Sequence, residues 1–123
     1  MRRRIVRRRS SGRRGVATPR LNRFAREAPS DARVIRRPRA KFMEGEIIVP
    51  RSHTEIILND RGRRALKKLT PEEERLLSLD LTMGGGYDNE EGIIYIVHTP
   101  GYPVYKQWRK IHALLNKAES RRK

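Results

Sequence analysis

The first 41 residues hold 16 Lys and Arg against two acids, Glu27 and Asp31, and that imbalance limits what the segment can fold into. Its net charge is +14, whereas residues 42–123 carry 14 cations against 12 acids, a net +2. A segment so charged, with scattered apolar residues, buries too little surface to offset the entropy of ordering its backbone. Gly12, Gly15, Pro19, Pro29 and Pro38 interrupt any long helix. Residues 1–41 are therefore expected to form an arm that is disordered when free, with Leu21 to Glu27 the best candidate for a helix formed on a partner. Phe24 and Phe42 are isolated aromatics, placed either to stack on a base or to dock on the neighbouring domain.

The residues after the arm read as a small α+β domain over 42–119, followed by a basic tail, 120–123. Gly45 to Val49 and Thr54 to Leu58 are short β-branched runs on either side of Pro50-Arg-Ser-His53, the pattern of a hairpin. Asn59 and Asp60 are suited to cap a helix to about Leu69, with Ala65, Leu66 and Leu69 turned inward. Thr70-Pro71-Glu72-Glu73 combines an N-cap, a proline at the first helical position and a capping-box glutamate. The helix that follows carries Leu76, Leu77 and Leu79. Gly84 to Gly92 reads as a flexible loop. Ile93 to Val97 and Tyr102 to Tyr105, around His98-Thr-Pro-Gly101, read as a second hairpin. A last helix over about Lys106 to Ala118 places Trp108, Ile111, Leu114 and Leu115 on one face. The expected domain thus has two hairpins and about three helices.

Arginine outnumbers lysine 15 to one in residues 1–41, although lysine supplies the same charge. Guanidinium adds a planar fork that grips phosphate bidentately, stacks on bases and sheds water more readily than ammonium. The residues expected to meet phosphate are Arg2, Arg3, Arg4, Arg7, Arg8, Arg9, Arg13, Arg14, Arg20, Arg23, Arg36, Arg37, Arg39 and Lys41. Arg61, Arg63, Arg64, Lys67 and Lys68 form a secondary basic patch on the helix after the first hairpin. If half of the arm's charges met phosphate, log K would fall against log salt with a slope of roughly −5 to −7. The arginines come in blocks rather than on one helical face, which argues against an organellar transit peptide. A membrane patch ordinarily comes with a lipidation signal or an apolar helical face, and neither is visible.

Catalytic and metal chemistry find little purchase. The chain has no cysteine, and His53, His98 and His112 stand at no metal-ligand spacing. His53 and His98 fall at turns; His112 lies beside the apolar face of the last helix, where it reads as packed. Gly84-Gly-Gly86 lacks the Gly-Lys-Ser/Thr ending of a phosphate loop and is followed by Asp88, Glu90 and Glu91. No nucleophile and base can be paired, so the protein is read as non-enzymatic, with no cofactor and no metal.

A polycation joined to a near-neutral domain is similar in layout, though not in motif, to viral coat or internal genome-binding proteins with arginine-rich arms. It also resembles ribosomal proteins with basic extensions. Such a layout implies a structural component of a virion or an intracellular nucleoprotein particle, neither secreted nor membrane-spanning, whose arm neutralises packed phosphates while the domain contacts other subunits. A lineage-specific ribosomal protein is the first alternative. Two short helices before a β-hairpin also resemble a winged-helix DNA-binding regulator, the second. That likeness lacks one helix, and the acids Glu72 to Glu74 open the helix meant for the groove.

Overall fold

The computed structural model describes residues 19–81 and 84–121. In chain order the elements are α1 (Pro19–Glu27), β1 (Arg33–Arg36), β2 (Met43–Val49), β3 (His53–Leu58), α2 (Asp60–Lys67), α3 (Pro71–Asp80), β4 (Gly86–Asp88), β5 (Ile93–Val97) and α4 (Val104–Ser120). Among the described residues the architecture is α+β: one five-stranded antiparallel sheet in the order β1-β2-β3-β5-β4, with four helices.

Strand pairing and side-chain alternation give the sheet two apolar faces. Ile56, Leu58, Ile94 and Ile96 turn to one face, where α2, α3 and α4 cover them with Leu66, Leu77, Ile111 and Leu115. Ile47 and Ile57 turn to the other face, where α1 supplies Leu21 and Phe24. Leu21, Phe24 and Ala28 recur at helical spacing, so α1 presents one apolar stripe although its remaining surface is polar.

The arm expected over residues 1–41 therefore needs correcting in its second half. The helix foreseen at Leu21 to Glu27 does form, but the partner it folds on is this domain. Residues 33–36 then add an edge strand, with Arg33 opposite Ile48 and Arg36 opposite Gly45. Gly45 is required at that junction: a Cβ there would lie 2.5 Å from the Ile35 carbonyl oxygen and 2.6 Å from Leu21 Cδ2. The register of β2 also shifts between Met43 and Gly45, which carries Met43 to the helical face and Ile47 to the α1 face. Phe24 and Phe42 are both buried, so docking rather than base stacking accounts for them.

The hairpin of β2 and β3 and the capping box stand as expected. Thr70 Oγ1 accepts from the Glu73 N–H at 3.1 Å, and Glu73 Oε1 accepts from the Thr70 N–H at 3.0 Å. Of the three leucines on α3, only Leu77 is buried; Leu76 and Leu79 are 47% and 71% exposed. The second hairpin lies elsewhere than foreseen. β5 turns back through Asn89 to Gly92 onto β4, so Gly86 to Asp88 is a strand rather than loop. Asp88 Oδ1 closes that turn by accepting from the Glu90 and Glu91 N–H groups at 2.9 and 3.0 Å, and Gly92 takes φ +75°. Tyr102 makes one isolated bridge to Thr99, and Pro103 caps a helix that takes in Val104 and Tyr105.

Candidate nucleic-acid interface

Arg2, Arg3, Arg4, Arg7, Arg8, Arg9, Arg13 and Arg14 lie outside the described residues. The other expected contact residues are mostly committed to the fold's own acids. Arg20 is half-buried; its Nη1 donates to Glu44 Oε2 at 2.7 Å and to the Leu58 carbonyl at 3.4 Å, with Asp60 at 3.6 Å. Burial raises the Glu44 carboxyl above the usual carboxylate range, against the pull of Arg20 and the Leu21 N–H. Arg23 reaches Glu91 at 2.8 Å with its guanidinium over the Phe24 ring. Arg36 donates to Asn22 Oδ1, and Arg37 pairs with Glu46 at 2.9 Å. Lys41 sits over the Phe42 ring and holds Asn116 and, at 3.7 Å, Glu119. Arg39 is exposed with no ion pair among the described residues.

The secondary patch divides in the same way. Arg61 clamps Glu119 with two nitrogens, holding that carboxyl below its ordinary range. Arg63 donates to the Glu90 carbonyl at 2.9 Å, and burial lowers its pKa. Arg64, Lys67 and Lys68 remain exposed and free of ion pairs among the described residues. Their spacing of three and four residues puts them on one side of α2 and its C-cap. Arg121, counted with the basic tail, grips both oxygens of the buried Glu73 at 2.9 and 2.8 Å and caps Lys68 through its carbonyl.

Pairing across the chain also changes the charge of the folded unit. Residues 19–121 hold 20 cations against 14 acids, a net +6, so the near-neutral domain inferred from residues 42–123 becomes moderately basic once α1 and β1 join it. Arg26, Arg33, Arg51 and Arg109 are further exposed cations without ion pairs among the described residues, and the sequence reading passed over them. Arg51 stands at the tip of the β2–β3 hairpin with φ +61°. No signal of spacing marked these four, because their freedom depends on where the acids lie in space.

The histidines are held by neighbours. His53 lies 2.8 Å from Ser52 Oγ and 3.0 Å from Glu55 and stacks on Tyr95; His98 Nε2 lies 2.8 Å from Thr54 Oγ1. His112 packs between Phe42 and Trp108, where burial and nearby Lys41 lower its pKa. Among the described residues no three His, Asp or Glu group as a metal site would need, and no helix is long and apolar enough to cross a membrane.

Among the described residues a concavity of about 640 Å³ is formed. It opens between β1, β2 and β3 and the first turns of α4, with Ile35, Ile48 and Ile56 on its floor and Tyr105 and Trp108 on its wall. Family models, curated proteins and solved structures were each searched with this chain, and none matched.

Proposed function

We propose that this protein is a non-catalytic nucleic-acid-binding component of a large nucleoprotein assembly, favoured as a virion protein, in which the arginines of residues 1–18 neutralise packed phosphates. One observation carries the reading. The folded unit pairs Arg20, Arg23 and Arg37 with its own carboxylates, whereas residues 1–18 contain eight arginines and no acid. Cations committed to internal pairs cannot neutralise phosphate without breaking those pairs. The eight without acids in their segment are available for it. Arg39, Arg64, Lys67 and Lys68 add a weaker, second set of phosphate contacts. The folded unit, with Leu76 and Leu79 exposed, contacts other subunits. The winged-helix reading has less support: α3 opens on three acids, and β5 lies inside the sheet between β3 and β4 instead of projecting as a wing.

Removing residues 1–18 tests this. Fluorescence anisotropy with a labelled oligonucleotide should show affinity falling by about 100-fold or more at low salt, and the salt slope should shrink by roughly 4 to 7. Unchanged binding by the shortened chain would sink the proposal. The mass of the native particle and the nucleic acid that copurifies with it test the assembly itself.

A further inference from the structure

The concavity beside α4 has a chemistry that the arm does not explain. Its floor is aliphatic, Ile35, Ile48 and Ile56, and its wall is aromatic. Tyr105 is 60% exposed and Trp108 is half-buried, three residues apart on one side of α4. At the rim stands Arg33, exposed and without an ion pair among the described residues. The acid lining the space, Glu46, is already held by Arg37. Thr54 and His98 hydrogen-bond each other and leave that end polar. The volume lies in the range of small-ligand sites.

Charge decides the occupant. A second copy of this chain, or its own arginine-rich N-terminus, would bring more positive charge to an arginine rim on a basic unit, which is repulsive. A polyanion is attracted instead. Flat apolar and aromatic walls next to a free guanidinium match an unpaired base attached to its phosphate. A duplex keeps its bases stacked inside and offers nothing to this groove. We infer that the groove between β1, β2, β3 and α4 binds single-stranded nucleic acid, seating a base against Tyr105 and Trp108 with its phosphate on Arg33. The inference rests on the nucleic-acid reading and adds to it a preference for unpaired strands.

Trp108 is the sole tryptophan in the chain, so its emission reports the groove directly. The full-length protein is titrated with a labelled single strand of about eight nucleotides, as RNA and as DNA, and with the matching duplexes, at about 0.3 M salt to weaken purely electrostatic contacts. Anisotropy reads total binding and Trp108 emission reads the groove. Single strands should quench Trp108, while duplexes bind without quenching. Tyr105→Ala and Arg33→Glu, both at exposed positions, should lower single-strand affinity by roughly 5-fold or more, and Tyr105→Ala should leave duplex affinity unchanged. Normal anisotropy with unaltered Trp108 emission, or equal quenching by duplex, overturns the groove while the arm reading stands. No rise in anisotropy with any ligand, at about 0.3 M and at low salt alike, overturns both. Emission that shifts with protein concentration alone places a second copy in the groove and overturns the inference.

Discussion

Residues 1–18 and residues 19–41 each carry eight cations, yet they differ in what they can do with them. In the first segment the apolar residues after Met1 come as two pairs, Ile5-Val6 and Val16-Ala17, ten residues apart. In the second, Leu21, Phe24 and Ala28 make a helical stripe and residues 33–36 make a strand. These bring Arg20, Arg23 and Arg37 onto Glu44, Glu91 and Glu46, which lie on or beside the sheet. Arginine content is therefore a poor guide to which cations are available. What separates the two segments is a few apolar side chains at the right spacing, together with acids that lie elsewhere in the sequence. Charge that a fold has already neutralised contributes to its stability; the remainder is open to a partner.

The widest test of that difference is a pair of truncations. A chain lacking residues 1–18 should melt like the whole protein, while one lacking residues 1–41 should be unfolded or nearly so by circular dichroism. The second loses Leu21, Phe24 and an edge strand and exposes Ile47 and Ile57. Burial of two such side chains alone is worth about 3 to 6 kcal/mol, comparable with the whole stability of a small domain. Equal melting of the two would return residues 19–41 to the arm.

A narrower test is Leu21→Ala, which should cost about 3 kcal/mol in a urea titration by leaving a cavity between α1 and the sheet. Its affinity for nucleic acid should stay at the wild-type value under folding conditions. A loss of affinity without a loss of stability would mean that α1 faces the ligand.

The smallest expected effect sharpens the view that internal pairs belong to the fold. Glu73, held by Arg121 and the Thr70 N–H, has its carboxyl lowered from 4.5 to about 2. Its ionised form is favoured in the folded state, so its contribution is complete above about pH 4.5 and is lost as the pH falls towards 2. Glu44 works in the opposite sense, since burial raises its pKa and ionisation there opposes folding as the pH climbs. Glu73→Gln should cost roughly 1 to 2 kcal/mol at neutral pH and flatten the acid side of the stability profile. An unaltered acid limb would show that the Arg121 clamp is not formed in solution.

Local chemistry made some of this legible in advance. The capping box at Thr70 to Glu73 and the hairpin of β2 and β3 are written in neighbouring residues, and both are present. Gly86 to Asp88 was not legible as strand, because its extended form depends on pairing with Ile93 to Tyr95 and not on its own propensity. The Pro-Gly pair at 100–101 looked like a hairpin turn but leads into α4, since Pro103 sets the helix start two residues earlier than periodicity suggested. Leu76 and Leu79 share a composition with Leu77 but not its side of the helix. The candidate site was legible in kind, as a surplus of arginine. The pairs that remove Arg20, Arg23 and Arg61 from that surplus span 24, 68 and 58 residues, and no local pattern encodes them.

Gly45 gives the attachment of the second segment an unusual weak point. The helix and edge strand are kept on the sheet across a gap too narrow for one carbon atom, between the Ile35 carbonyl and Leu21. A methyl group at that position would act as a wedge, prying at α1 and β1 together while leaving every arginine, every acid and the helical layer chemically untouched. One residue without a side chain thus sets how much of this basic terminus behaves as scaffold and how much as tether.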